Sequence, residues 1–376
     1  MNPKKSIVYF VNARARSLRE ALTFKLQRLI DVSGILDFIR DGDLIAVKLH
    51  VGERGHYRHI RPQFIRIICD AIKKRGGKTF LTDTCTLYRG FRANGVDHIE
   101  TAILNGFAYA TIGAPFIPAD GLRGKYGIKV KVNGTILKEV EIAGILQEVD
   151  GVIVVSHVKG HGLAGFGGAL KNIAMGLVTR KEKARLHMHG KPYVNEEKCV
   201  GCKTCERHCP MGAIKVINGK ARINEEKCVG CGECIIVCPR HVIDYDLASS
   251  EELQIKMVDA ALAVVKFVGK KRMGFINFAL EITPYCDCFA AADIPIVNDV
   301  GIFASRDPVA IDKASVDMIN KASIIPGSAI SEKIKPGEKI KDVFRTLHEI
   351  DWEIILKYAE KLGLGSRKYV LKKIEF

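Results

Sequence analysis

No apolar run in the sequence approaches the roughly 20 residues that a membrane-spanning helix needs, so a membrane partner is not expected. The opening stretch, MNPKKSIVYFVNARARS, has too short an apolar part for a secretory signal and no small-residue cleavage site. Both absences favour the cytoplasm, where cysteines serve as metal ligands more often than as disulfides. The glycine-rich run Ser156–Gly168 does not end in the Gly-Lys-Ser/Thr of a P-loop, and no flavin signature is evident. Aromatic residues are sparse, at 7% with one tryptophan, and do not interleave with the scattered basic groups at Lys181–Lys183 and Lys270–Arg272. That argues against an RNA-binding surface and makes nucleic acid an unexpected partner.

Cysteine and positive charge are plentiful. Eight of the twelve cysteines fall between Asn195 and Pro239, in two runs of one pattern. The first is Cys199-x-x-Cys202-x-x-Cys205-x-x-x-Cys209-Pro210 and the second Cys228-x-x-Cys231-x-x-Cys234-x-x-x-Cys238-Pro239, each introduced by NEEKCVGC. Cys199 and Cys228 stand 29 residues apart, as duplication of a small hairpin-plus-helix unit would give. Three closely spaced thiolates wrap three corners of an iron–sulfur cubane, and the cysteine before proline serves the other cluster. Cys199, Cys202, Cys205 and Cys238 are thereby assigned to one 4Fe–4S cluster, and Cys228, Cys231, Cys234 and Cys209 to a second. Zinc is the competing reading, but zinc sites pair their cysteines with a longer gap rather than spacing three evenly. The formal charge is +16, of which two oxidised clusters with their thiolates would cancel roughly four units. The remainder suits an acidic redox partner protein or a small anionic substrate.

Around this module the chain alternates short β-branched runs with amphipathic stretches. Strands are expected at Ser6–Val11, Asp43–Val51, Lys78–Leu81, Gly151–Ser156, Gly274–Ala279, Ile294–Val297 and Lys368–Ile374. Helices are expected over Leu18–Ile30, from Pro62, over Gly95–Phe107, Ala169–Val178 and Leu253–Phe267, and after an Asp307 cap with Pro308 in the first turn. The pattern predicts an α/β fold, a mostly parallel sheet with helices on both faces, interrupted by the cysteine module. The implied boundaries are 1–189 and 247–376 for the two parts of the α/β domain and 190–246 for a two-cluster ferredoxin-like insert.

Polar clusters stand at or just after the expected strands: Lys48, His50 and Glu53; Asp83 and Cys85; His157, Lys159 and His161; and Cys286, Asp287 and Cys288. Ligands of open parallel sheets bind outside the carboxyl ends of the strands, so the clusters are expected to converge on one pocket. His157, His161, Lys159, His50 and Asp83 are the candidate catalytic residues, with lysines binding anionic groups and His157 or His161 supplying protons. The turn Ser156–Gly168 is rich enough in glycine to aim backbone N–H groups at an anion on the next helix, with Lys159 and Lys171 adding charge. Its string Gly160-x-Gly162-x-x-Gly165 lacks the acidic partner of a dinucleotide site. Cys286 and Cys288 are candidate ligands of a third metal or cluster, and Cys69, inside a helical stripe, reads as a small buried hydrophobe.

Several longer motifs carry a family resemblance: VKLHVGE at Val47–Glu53, DTCTLYRGFRANGVDH at Asp83–His98, HVKGHGLAGFGGALKNIAMG at His157–Gly176, CDC at Cys286–Cys288 and IPIVNDVGIFASRDPVAID at Ile294–Asp312. The chain resembles iron–sulfur centre proteins of a domain family of unknown function, found in anaerobic bacteria and archaea, in which a bacterial-type two-cluster ferredoxin module interrupts an α/β domain. The resemblance implies the fold and the clusters but no substrate. Two functions are compatible with it. One is an oxidoreductase or electron-transfer protein passing low-potential electrons through two 4Fe–4S clusters to a site in the α/β domain. The other is a non-catalytic carrier or adaptor that docks a partner reductase; an iron–sulfur or metal carrier is a weaker third. Protein purified anaerobically should contain about eight irons and show cubane EPR signals on reduction; four irons, or mainly zinc, would overturn the two-cluster assignment.

Overall fold

The apolar runs assemble into one seven-stranded sheet in a computed structural model that describes residues 5–376 except 89, 210, 229, 231, 336, 337 and 339. Its strands are β1 (Ser6–Asn12), β2 (Leu44–Lys48), β3 (Lys78–Thr82), β4 (Gly151–His157), β5 (Met273–Ala279), β6 (Gly301–Ser305) and β7 (Tyr369–Lys373), in the spatial order β7-β1-β6-β5-β4-β2-β3. Four of the six pairings are parallel; the two antiparallel ones both involve β6. The strand expected at Ile294–Val297 is absent, leaving one bridge from Val297 to Ile324. Pro295 has no N–H for a ladder, and β6 forms a few residues later instead. It opens at Gly301, where φ is +149° and a Cβ would stand 2.0 Å from the Val11 carbonyl oxygen, so only glycine fits.

Strand β4, GVIVVSH, is buried along its whole length, which is why it reads as a continuous apolar run. Ile153 and Val155 face one layer with Ile45, Val47 and helices α1 (Leu22–Ser33) and α2 (Pro62–Lys73). Val152 and Val154 face the opposite layer, where α4 (Ala169–Gly176), α6 (Ser250–Val268), α7 (Pro308–Ile319) and α8 (Glu353–Lys361) pack. Each fully buried Val or Ile contributes about 1.5–3 kcal/mol relative to exposure. Helix α1 begins later than its apolar spacing suggests, because Leu18 lies in a separate 3-10 turn and is exposed. Cys69 is buried in α2, as expected of a small hydrophobe. Helix α3 (Gly95–Leu104) is capped by the Asn94 side chain. The Asp307 cap is also present, accepting from Val309 and Ala310 N at 2.9 Å.

Helix α5 (Arg180–His187) runs into strand Met188–Val194, which pairs antiparallel with Ile243–Leu247. Between these strands lie the hairpin Ile214–Ile217/Lys220–Ile223, the short helices Thr204–His208 and Glu233–Val237, and a small core that includes Cys199, Cys205, Ile214 and Cys238. The sequence repeat is a structural one. Gly201 and Gly230 both have φ of +63°, and Lys203 and Gly232 precede the two short helices in left-handed conformation.

The glycine-rich turn Ser156–Gly168 departs from expectation at the helix that follows it. The N–H groups that open α4 do not await an external anion, because the buried Asp312 carboxylate fills them. Its Oδ1 accepts from Ala169 N at 2.7 Å and from Asn277 Nδ2 at 2.8 Å, and its Oδ2 from Leu170 N at 2.9 Å. Burial pushes the Asp312 carboxyl up to about 6. Asp312→Ala should therefore strand three buried donors and cost about 3 kcal/mol or more in urea unfolding; a loss within about 0.5 kcal/mol would show that the cap is dispensable.

Candidate functional site

Strands β5, β4, β2 and β3 run parallel, so their carboxyl ends open at one edge of the sheet. A cleft with an empty volume of about 760 Å³ lies there, lined by Lys48, His50, Asp83, His157, Lys159, His161, Cys286 and Cys288. The expected clusters do converge. The exceptions are Glu53 and Asp287, which sit behind the lining as partners of Arg92 and Lys159, and Cys85, which is fully buried, donates to the Gly121 carbonyl and is pushed up by burial.

The organising group is Asp287, fully buried between the two cysteines. Lys159 Nζ donates to it at 2.6 Å, His157 Nδ1 lies 3.0 Å away and His56 Nε2 3.3 Å away. Burial pushes its carboxyl up, but the charges of Lys159 and His157 hold it well below the usual carboxylate range. His157 is thereby removed from proton donation: its Nε2 faces the Leu280 carbonyl at 2.9 Å, so both ring nitrogens are engaged. It positions Asp287. A second buried pair joins Lys48 to Asp83 at 3.1 Å, with Lys48 also donating to Asn172 Oδ1 at 2.5 Å. Lys48 reaches Asp83 across Gly176, where a Cβ would meet its Cε at 2.1 Å. Against burial, Lys48 holds the Asp83 carboxyl below its ordinary value, so Asp83 is a fixed countercharge. Arg92 pairs with Glu53 at 3.2 Å and approaches His50 Nε2 at 3.1 Å. Burial, reinforced by Arg92, pushes the His50 imidazole well below its ordinary value.

Three groups remain available for chemistry. Lys171 has no carboxylate partner among the described residues; its nearest polar contact is Cys286 Sγ at 3.9 Å. His161 accepts on Nδ1 from Leu163 and Ala164 N at 3.2 and 3.1 Å, which leaves the N–H on Nε2. Burial and Lys171 keep that ring neutral by pushing its value well down. The sulfurs of Cys286 and Cys288 stand 2.8 Å apart, both as free cysteines. The hydrogen bond from Cys288 holds the Cys286 thiol well below its ordinary value, against burial and with help from Lys171, while Cys288 moves the other way.

Sequence reasoning passed over Arg92, Lys183 and His187, which also line the cleft. Lys183 is buried and donates to Thr84 Oγ1, the Cys85 carbonyl and the Val178 carbonyl. Its i, i+4 spacing from His187 on α5 was the available signal. Arg92 carried none beyond its place in a motif.

The cysteine runs line two further hollows. Cys199, Cys202, Cys205 and Cys238 surround one, and Cys209, Cys228 and Cys234 another; Cys231, Pro210 and Val229 lie outside the described residues. The cysteine before each proline thus sits with the other run. A lone tetrahedral zinc at ~2.3 Å would draw sulfurs to about 3.8 Å. Among the described residues no three of these cysteines approach within 4.8 Å of one another, and each set surrounds a hollow instead. Helix α5 touches both the cleft and the surroundings of the second hollow. Its Lys183 and His187 face the cleft, while Ala184 packs on Gly232 of the hollow, where an added Cβ would stand 2.9 Å away.

The profile described as "Domain of unknown function (DUF362)" matches residues 45–317. No curated protein matches the chain. Among solved structures, the lactate racemase apoprotein of Thermoanaerobacterium thermosaccharolyticum is 12% identical over 84% of this chain and 57% of that one, with a TM-score of 0.42. A protein from Thermotoga maritima is 10% identical over 69% of this chain and 50% of that one, with a TM-score of 0.35. The chain therefore spans under two thirds of either protein, and likeness at this level carries no functional argument. No helix among the described residues is long and apolar enough to cross a membrane.

Behind the cleft, His98 on α3 is fully buried with neither ring nitrogen hydrogen-bonded, its ring 4.9 Å from that of Phe116. Burial, against the pull of Asp83 and helped by Arg92 and Lys183, pushes it down to about 3. A depressed histidine contributes stability above its unfolded value near 6.5 and loses it as pH falls towards the folded value. The parent should lose about 2 kcal/mol more than His98→Leu between pH 7 and pH 5 in urea titrations. Equal losses would show that His98 does not set the acid limb.

Proposed function

The chain belongs to the DUF362 family, and for this member of it we propose an iron–sulfur oxidoreductase acting on a small anionic substrate in the cleft. The observation that carries the reading is α5, whose Lys183 and His187 line the cleft while the adjacent Ala184 packs on Gly232 of the second cysteine hollow. Two 4Fe–4S clusters, held by Cys199, Cys202, Cys205 and Cys238 and by Cys209, Cys228, Cys231 and Cys234, would supply single electrons at low potential. An acidic redox partner protein in the cytoplasm would exchange those electrons.

Within the cleft, Lys171 binds the substrate's anionic group, since the other cations have partners: Lys48 with Asp83, Lys159 with Asp287, Arg92 with Glu53, and Lys183 with neutral oxygens. His161 presents its Nε2–H to the substrate and supplies or takes the proton that accompanies reduction or oxidation. Asp287 and Asp83 balance the fixed charges so that the net field favours one anion. A domain that only docked a partner would have no cause to gather these groups in one cleft, which favours the enzyme over the carrier reading.

Dithionite-reduced protein should be reoxidised by members of a panel of small mono- and dicarboxylates. Lys171→Gln should slow this at least tenfold, the size of one lost charged hydrogen bond, with iron content unchanged. His161→Gln should slow it likewise. Reoxidation at parental rates in both variants would remove the cleft from the reaction and favour the carrier reading.

A further inference from the structure

Cys286, Cys288 and His50 meet at the rim of the cleft without serving either cysteine hollow. Their donor atoms all lie within 4.8 Å of one another, with 2.8 Å between the sulfurs and 3.4 Å from Cys288 Sγ to His50 Nε2. We infer that these three residues bind a single zinc-class transition-metal ion, leaving one coordination position open to the cleft. The inference deepens the reading of the cleft as a reaction site and rests on it for its catalytic sense.

The donor chemistry selects the ion. Two thiolates and an imidazole are soft or borderline ligands, which suit zinc and disfavour oxygen-seeking magnesium or calcium. Three protein ligands with a free fourth position are the arrangement of catalytic rather than structural zinc. With Zn–S of ~2.3 Å and Zn–N of ~2.0 Å, tetrahedral geometry calls for about 3.6 Å between sulfur and nitrogen and about 3.8 Å between sulfurs. The Cys288–His50 spacing is already close, and the sulfurs must separate by about 1 Å. Cys288, half-buried on the turn, is the freer of the pair; Cys286 is buried.

The supporting frame is stiff. Glu53 N donates to the Asp287 carbonyl at 2.8 Å, and His56 Nδ1 lies 2.8 Å from the Phe289 carbonyl, so the loop carrying His50 is stapled to the turn carrying both cysteines. The Asp287 side chain anchors that turn from inside through Lys159 and His157. Two contacts would yield to the ion. Arg92 would leave His50 Nε2 for its carboxylate partner Glu53, and His50, carrying its proton on Nδ1, would give up the bond from Gly52 N at 2.9 Å. One of these bonds comes from a guanidinium that keeps its carboxylate and the other from a backbone N–H; a metal–imidazole and two metal–thiolate bonds replace them. The open position then lies beside Lys171, where the ion would polarise an oxygen of the bound anion.

Full-length protein, isolated anaerobically and supplied with stoichiometric Zn²⁺, should hold about one zinc per chain beyond its iron. Co²⁺ in its place should give thiolate-to-cobalt charge-transfer absorption. Cys286→Ser/Cys288→Ser should lose the zinc and the absorption while keeping the parental iron; Cys288→Ser alone serves if the double variant loses iron as well. His50→Gln should weaken zinc at least tenfold, and His161→Gln should not. Zinc below roughly a tenth per chain, or unchanged in the cysteine variants, would overturn the site. Zinc lost as expected while Lys171→Gln leaves reoxidation untouched would sink the substrate reading and keep the ion; the reverse pair of results would do the opposite.

Discussion

The Asp287 carboxylate is the constraint on which the cleft depends. It sits fully buried at the centre of the Cys-Asp-Cys turn and draws Lys159, His157 and His56 onto one point. A buried charge of this kind is tolerable only when its partners and hydrogen bonds are complete, and removing one partner of such a set typically costs about 3–5 kcal/mol. The arrangement therefore ties the end of β4, the turn after β5 and the loop after β2 into a single rigid rim. Cys286 and Cys288 are held to either side of it, and His50 follows because its loop is bonded to the same turn. His157, placed by sequence among the proton donors, belongs to this support.

Charge balance then shapes what the cleft accepts. Lys48, Lys159 and Arg92 are each matched by a carboxylate, and Lys183 is spent on neutral oxygens. On the proposed reading Lys171, lacking such a match among the described residues, is the cation left for one anionic group. The same economy governs α4, whose N-terminus is filled by Asp312 from within the chain. A glycine-rich turn before a helix is an anion site only when no internal carboxylate reaches it first. Position completes the picture: α5 lines the cleft with Lys183 and His187 and packs its Ala184 on Gly232 of the second cysteine hollow.

Much of this was legible in the residues. Evenly spaced cysteines before proline foretold which would share a hollow, because the repeat leaves the fourth cysteine on the far side of its own short helix. Polar clusters at the ends of apolar runs foretold the cleft, since parallel strands deliver their carboxyl ends to one edge. What was not legible depended on contacts distant in sequence. Nothing near Asp312 announced that it would cap a helix more than a hundred residues earlier. Nor could the neighbourhood of His157 reveal that Asp287 would claim it. Strand β6 was misplaced because apolar composition alone favoured Ile294–Val297, whereas Pro295 denied that segment a ladder. Arg92, Lys183 and His187 look like ordinary surface cations until the fold buries them against the cleft.

The central claim is that two iron–sulfur clusters are arranged so that one of them lies beside α5, which also lines the cleft. Anomalous diffraction at the iron edge from anaerobically grown crystals tests it directly. The account predicts two compact iron peaks, one amid Cys199, Cys202, Cys205 and Cys238 and one amid Cys209, Cys228 and Cys234, the latter beside Gly232, on which α5 packs. Single-atom peaks in those hollows, no iron in them, or a second cluster turned away from α5 would contradict it.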